Sequence, residues 1–171
     1  MAMAWRHYVA GTREDARMIS VRVLQVEPGN PDALHLLGVL AYEAHQHAVA
    51  IDLITRAIRG NKKIASMHGN LALAKLAHGD INGAAASARK AFAISPSYAD
   101  AHRVLGLVYV KKGQLQQAIE EFERAQALGL QTDDLQGHLA KAREQLHARE
   151  AAQSPSTHIP SRCVPSMGRK A

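Results

Sequence analysis

The chain is poor in several kinds of residue, and each shortage excludes a class of protein. It has one cysteine, Cys163, so no internal disulfide bond can form, and we assign a reducing cytoplasm by default. No stretch approaches the roughly 20 apolar residues that a membrane-spanning helix needs. Residues 1–17 lack the apolar core of a signal peptide. We therefore expect no membrane partner.

Aromatic residues are also scarce. They make up 4% of the chain, while hydrophobic residues reach 47%, carried mainly by alanine and leucine. This composition favours closely packed helices over a β-sandwich or β-barrel.

The positive charge of the chain does not indicate a nucleic-acid binder. The formal net charge is +6, but three of the bases, Arg162, Arg169 and Lys170, lie in the C-terminal tail, where there are no acids. The remainder shows no basic stripe with aromatic or amide readers beside it. We expect a mildly basic, solvated surface and no nucleic-acid partner.

What the chain does contain is a regular internal period. Three sets of apolar residues keep the same step: Ala50, Ala84 and Ala118; Ala57, Ala91 and Ala125; Leu37, Leu71 and Leu105. A fixed period of this length indicates an array of one small unit. Stacked helix pairs form a curved surface that holds another chain, rather than a closed pocket for chemistry.

The period divides the chain into units. We expect one repeat domain over 1–151, made of a partial unit, three full units and a capping helix, followed by a disordered tail rich in proline and serine. The boundaries are 1–30, 31–64, 65–98, 99–132, 133–151 and, for the tail, 152–171.

Local signals mark the ends of the helices. Gly11, Gly79 and Gly113 recur where the first helix of a unit ends, and glycine supplies the left-handed conformation of a C-cap. His45 takes that place in the first full unit. Asn30 and Ser97 are predicted to cap the helices that follow them. After Thr132, Asp133 and Asp134 place acids at a helix N-terminus, where the helix dipole favours them.

These residues resemble the tetratricopeptide repeat. The third unit matches the family pattern best, with Leu105, Gly106, Tyr109, Ala118, Phe122 and Ala125, whereas the second has Ala72 where glycine is usual. The resemblance implies an all-α fold: a right-handed superhelical α-solenoid of antiparallel helix pairs with a C-terminal capping helix. Residues 26–40 are also similar to bacterial repeats that precede glycosyltransferase or sulfotransferase domains.

The resemblance also implies a binding surface. In this family the first helices of the units line a concave groove, and the positions that line it carry over to His35, Val39, Tyr42, Asn70, Leu73, Leu76, Arg103, Leu107 and Lys111. The middle of this surface is apolar and its charges lie toward the edges. Such a surface suits a helix or an extended peptide.

Two polar groove residues have alternative interpretations. Asn70 occupies a position where repeats related to O-linked N-acetylglucosamine transferases place a ladder of peptide-binding asparagines, but it is equally consistent with an amide bonded to the adjacent unit or to water. Arg103 is either a contact for an acidic partner or a member of a surface salt bridge. The carboxylate clamp of chaperone-docking repeats matches only at Asn70, and Asp100 would repel a carboxylate there.

No catalytic, cofactor or metal site is expected. The ten histidines include His45 and His47 at a turn, without a third ligand at the right spacing, and His68 and His102, whose equivalent positions favour packing. Cys163 has no oriented base beside it. No phosphate loop, dinucleotide fingerprint or hydrolase motif is present.

The sequence therefore predicts a stand-alone, non-catalytic adaptor that holds a segment of a partner protein in its groove. Two alternatives remain open. One is the detached substrate-recognition arm of a glycosyltransferase-like enzyme, and the other is a scaffold that forms homo-oligomers through its open repeat edges.

Overall fold

The computed structural model describes residues 1–153. This part of the chain consists of nine α-helices and contains no strand. The helices are α1 Ala2–Val9, α2 Arg13–Val26, α3 Pro31–Glu43, α4 His47–Gly60, α5 Ala65–Ala77, α6 Ile81–Ile94, α7 Ala99–Lys111, α8 Leu115–Ala127 and α9 Asp133–Gln153.

The first helices of the three full units begin at Pro31, Ala65 and Ala99, which are the first residues of the predicted units. The final helix runs to Gln153, slightly beyond the predicted end of the cap. The rest of the expected tail, with Cys163, lies outside the described residues.

The turns within the units have the backbone conformation that their residues indicate. Gly11, Gly79 and Gly113 have φ angles of 82°, 92° and 70°. His45 keeps the same turn with φ 59°. A histidine is therefore held in the left-handed region, where glycine meets less steric resistance.

Of the two predicted helix caps, the structure shows the one at Asn30, and it adds a cap at Thr132 that was not predicted. The side chain of Asn30 accepts a hydrogen bond from the backbone N–H of Ala33, and Thr132 accepts one from Leu135. Ser97 does not cap α7: the N-cap position is Tyr98, which makes no side-chain capping bond. The tyrosine ring instead packs against α5.

The repeating alanines are where helices meet. Ala50, Ala57, Ala84, Ala91, Ala118 and Ala125 lie on the second helices of the units, and all are fully buried. Small side chains let the helix axes approach closely, so the period of the sequence is the period of the helix contacts. Larger residues fill the spaces between these contacts, chiefly Leu34, Ile54, Met67, Phe122 and Leu135.

The helices stack as a solenoid. Each packs on the next along the chain, and the first helices also contact one another directly, α3 with α5, α5 with α7, and α7 with α9. Among the described residues, the second helices α4, α6 and α8 do not contact one another to the degree that the first helices do. The first helices therefore form the inner, concave side of the array. Within residues 1–153, no helix combines the length and the apolar character needed to cross a bilayer.

Candidate functional site: the concave surface

The predicted groove residues lie on α3, α5 and α7, the helices of the concave side. Two rows of apolar side chains run along these helices at the period of the repeat. One row contains Val39, Leu73 and Leu107, and the other contains Tyr42, Leu76 and Val110.

The period also extends to α1, which the sequence interpretation did not use. Trp5 lies one full period before Val39, and Tyr8 lies one full period before Tyr42. Both aromatic side chains are half-buried, and their rings meet edge to face at 5.7 Å. Counting one period back from the first full unit would have identified them.

The groove side chains differ in how much surface they present. His35 is only 5% exposed and Val39 9%, so they form the floor of the concave side rather than its open surface. Leu73 is half-buried against α6 and α7, and Leu107 against the cluster between α8 and α9. These leucines therefore both line the groove and contribute to packing between units.

A pocket of about 350 Å³ opens at the N-terminal end of the groove, between α1, α3 and α5. We call it the N-terminal pocket. The residues that line it are Trp5, Asp32, His35, Ile64, Ser66, Met67 and Asn70.

The polar floor of this pocket is a hydrogen bond between neighbouring units. The amide nitrogen of Asn70 lies 2.9 Å from Nε2 of His35. An amide nitrogen only donates, so this ring nitrogen is the acceptor. Burial lowers the pKa of His35 to about 4, partly offset by the nearby charge of Asp32, and the ring is therefore neutral at pH 7. Trp5 covers its other side, with ring centroids 5.3 Å apart.

A second polar group fixes α1 to α3. Glu43 accepts hydrogen bonds from the hydroxyl of Tyr8 at 2.6 Å and from Nε of Arg13 at 2.7 Å. Burial opposes the charge of Glu43, but these two bonds outweigh it and lower its pKa. Burial, followed by the bond to Glu43, raises the pKa of Tyr8 to about 12.

The C-terminal end of the groove is charged. Arg103 forms an ion pair with Asp100 at 2.9 Å, within the first turn of α7.

Tyr98 lies over Gly69 of α5, where an added Cβ atom would come within 2.8 Å of the ring. Burial and the charge of Asp100 raise the pKa of Tyr98 to about 12. Lys111 is exposed at the rim and makes no ion pair with any described residue.

The histidines that match between units have structural partners. His68 lies 3.1 Å from the carbonyl oxygen of Lys62. Nδ1 of His102 lies 2.7 Å from a carboxylate oxygen of Glu121, and both side chains are buried. Across residues 1–153, no three histidine, cysteine, aspartate or glutamate side chains are grouped so as to hold a metal ion.

Comparisons with known proteins agree with this architecture. Residues 75–143 match the family model of the tetratricopeptide repeat. No curated protein matches the chain, so the resemblance to glycosyltransferase-linked repeats gains no support.

Several solved structures share the fold. MamA superposes with a TM-score of 0.70 at 24% sequence identity, covering 89% of each chain. The Sgt2 TPR domain from Aspergillus fumigatus gives 0.68 at 25% identity, over 77% of this chain and 89% of that one. The first TPR of Spaghetti (RPAP3), bound to the HSP90 peptide SRMEEVD, gives 0.64 at 20% identity, over 69% and 94%. The described chain thus has the fold of tetratricopeptide repeat structures, and its residues 75–143 match the model of that family.

Proposed function

We propose that this protein is a non-catalytic adaptor whose concave groove binds a segment of a partner protein. The observation that carries the proposal is the pair of apolar rows on the first helices. The rows extend over the first helices α1, α3, α5 and α7: Trp5, Val39, Leu73 and Leu107 form one row, and Tyr8, Tyr42, Leu76 and Val110 form the other. Apart from Val39, which is buried in the floor, these side chains are partly exposed at a regular spacing. A helix or an extended peptide needs anchor sites of this kind.

The structure of RPAP3 with an HSP90 peptide supports a peptide as the kind of ligand. The ligand of this chain has a different chemistry. The carboxylate clamp of chaperone-docking repeats has five positions, and four of them are occupied in this chain by His35, Val39, Asp100 and Val104. The ring of His35 is neutral and the side chain of Asp100 is negative. An acidic terminus would find no cation among these four side chains.

The test is affinity capture from native extract with the wild-type chain and the double variant Leu73→Lys, Leu107→Lys, followed by mass spectrometry. Each captured protein is then purified and titrated against both chains. The matched control is Val49→Lys, because Val49 is 48% exposed on α4 and lies off the concave side.

Because Leu73 and Leu107 also pack between units, each variant is first checked by circular dichroism and thermal unfolding. We expect the folded double variant to lose the partner and the Val49→Lys variant to keep it. A partner that binds all three chains equally would place the binding surface elsewhere.

A further inference from the structure

We propose that the N-terminal pocket binds a basic side chain, arginine or lysine, of the partner segment. This inference rests on the proposed function, since the pocket is the N-terminal end of the same groove. It concerns which residue the partner presents there, which the apolar rows alone do not specify.

The first argument is charge. Asp32 is the one ionised residue among those that line the pocket, and no described residue forms an ion pair or a hydrogen bond with its carboxylate. His35 adds no positive charge at pH 7, because burial keeps its ring neutral. The nearest loop, between α4 and α5, carries Lys62 and Lys63, which are exposed and do not line the pocket. The net charge of the side chains that line the pocket is therefore negative.

The second argument is the direction of the hydrogen-bonding groups. Asn70 uses its amide nitrogen on His35, and its amide oxygen has no described partner. The hydroxyl of Ser66 is likewise without one. Together with the carboxylate of Asp32, these oxygens offer acceptors to a ligand that donates. Guanidinium and ammonium groups donate several hydrogen bonds and accept none.

The third argument is the aromatic wall. Trp5 packs against His35 on one side and meets the edge of Tyr8 on another, yet it remains partly exposed in the pocket. Tryptophan is the side chain that attracts a cation most strongly through its ring face. A lone carboxylate beside an indole ring is a complementary site for a cation with an apolar stem.

An anionic or phosphorylated residue fits the pocket poorly. No arginine or lysine lines it, and its one ionised group is an acid. A purely apolar side chain would cover Asp32 and the open oxygen of Asn70 without replacing their water contacts, which is costly.

The sequence offers a direct probe, because Trp5 is the only tryptophan. The experiment is a titration of its fluorescence with short blocked peptides of leucine and alanine that differ only at the centre. The central residue is arginine, lysine, citrulline or glutamate. Citrulline has the shape of arginine without its charge.

We expect the arginine and lysine peptides to bind about tenfold more tightly than the citrulline and glutamate peptides. The variant Asp32→Asn should remove this preference while keeping the binding of the citrulline peptide. The control Asp52→Asn changes an acid that is 67% exposed on α4, and it should keep the preference of the wild type.

Equal affinity for the arginine and citrulline peptides would overturn the inference, as would an arginine peptide that leaves the fluorescence unchanged up to millimolar concentration. Loss of the preference in Asp52→Asn would also contradict it, since that acid lies outside the pocket. If the charge preference is absent but Leu73→Lys, Leu107→Lys still abolishes partner capture, the groove function stands and only the pocket assignment fails.

Discussion

Phe122 of α8 lies so close to Gly106 of α7 that a Cβ atom added to the glycine would overlap its ring. The same sequence spacing joins Gly38 to Ile54, where an added Cβ atom would lie 2.5 Å from Cγ1 of the isoleucine. In two units, therefore, a glycine on the first helix accommodates a large side chain on the second.

The middle unit uses a different pair at the same positions. Ala72 and Ala88 are both fully buried and belong to one cluster. The missing glycine at position 72 is thus matched by a smaller residue on the facing helix. A larger residue at the glycine position is thus accompanied by a smaller residue opposite it, so that the two helices can still pack closely.

This pairing predicts a strong coupling between Gly106 and Phe122. We expect Gly106→Ala to lower the free energy of unfolding by about 1–3 kcal/mol through overpacking. Phe122→Ala should lower it by about 3–5 kcal/mol through the cavity it leaves. The double variant should cost less than the sum by about 1–3 kcal/mol, because the alanine no longer meets a ring.

Denaturant unfolding of the four proteins measures this coupling. The control is Gly137→Ala on α9, where nothing lies within 4 Å of the added atom. It should stabilise the protein by about 0.5–1 kcal/mol through helix propensity alone. Additive costs for Gly106 and Phe122 would mean that the two residues do not constrain each other.

The positive φ of His45 predicts a stabilising substitution. Glycine occupies this turn position in the other units, as in Gly79 with φ 92° and Gly113 with φ 70°. His45→Gly should raise the free energy of unfolding by about 0.5–1 kcal/mol, since glycine adopts this conformation without steric cost. In contrast, His78→Gly should not stabilise, because the φ of His78 is −77°. Thermal unfolding of the two variants compares them; equal shifts would argue against relief of strain at His45.

The neutral state of His35 predicts a pH dependence of stability. Burial lowers its pKa to about 4 in the folded protein, whereas the unfolded chain takes up a proton near the ordinary value of 6.5. Between these values the unfolded state binds more protons, so stability rises with pH across the window and falls as the pH drops from 6.5 toward 4.

We expect His35 to account for a loss of about 2–3 kcal/mol between pH 7 and pH 4.5. The glutamine of His35→Gln does not titrate and can still accept a hydrogen bond from Asn70. Between the same two pH values, the variant should therefore lose about 2–3 kcal/mol less stability than the wild type. Urea unfolding of both proteins at the two pH values gives the difference. If the free energy of unfolding changed equally with pH in the wild type and the variant, His35 would not be the titrating group.

The contact between His102 and Glu121 predicts unequal effects for two glutamates on α8. Glu121 is buried and also accepts a hydrogen bond from Arg124 at 2.5 Å. Removing its carboxylate with Glu121→Ala leaves the buried His102 without this partner and should cost about 1–3 kcal/mol. Glu123 pairs with Arg143 on the surface, and Glu123→Ala should cost less than about 1 kcal/mol. Chemical denaturation of each variant tests the contrast, and similar losses would contradict it.

The sequence predicts the repeating parts of this structure well. The period of the alanines places the helices, because each alanine lies where two helices are in contact. The glycines of the turns predict a positive φ, since few other residues adopt it without strain. The turn at His45 follows from the same register, although its residue type alone would not have indicated it.

Side-chain contacts between different units are harder to predict from the hydrophobic pattern of the sequence. The bond between Asn70 and His35 joins side chains of two different units, and it depends on the angle between α3 and α5. Tyr98 was not predicted to cover Gly69, because its position at the end of a unit suggested a capping role for its neighbour Ser97. Such contacts follow from the stacking geometry, which the hydrophobic pattern specifies only approximately.

The stacking described above also determines how the array deforms. Each helix pair contacts only its immediate neighbours. Small rotations of one helix pair relative to the next therefore add up along the array. The first helices form the inner side of the array, and a change of angle at one interface alters the spacing of all the concave-side residues beyond it. The hydrogen bond between Asn70 of α5 and His35 of α3 restricts rotation at one such interface, and it therefore constrains the spacing between the side chains of Val39 and Leu73 on the concave side.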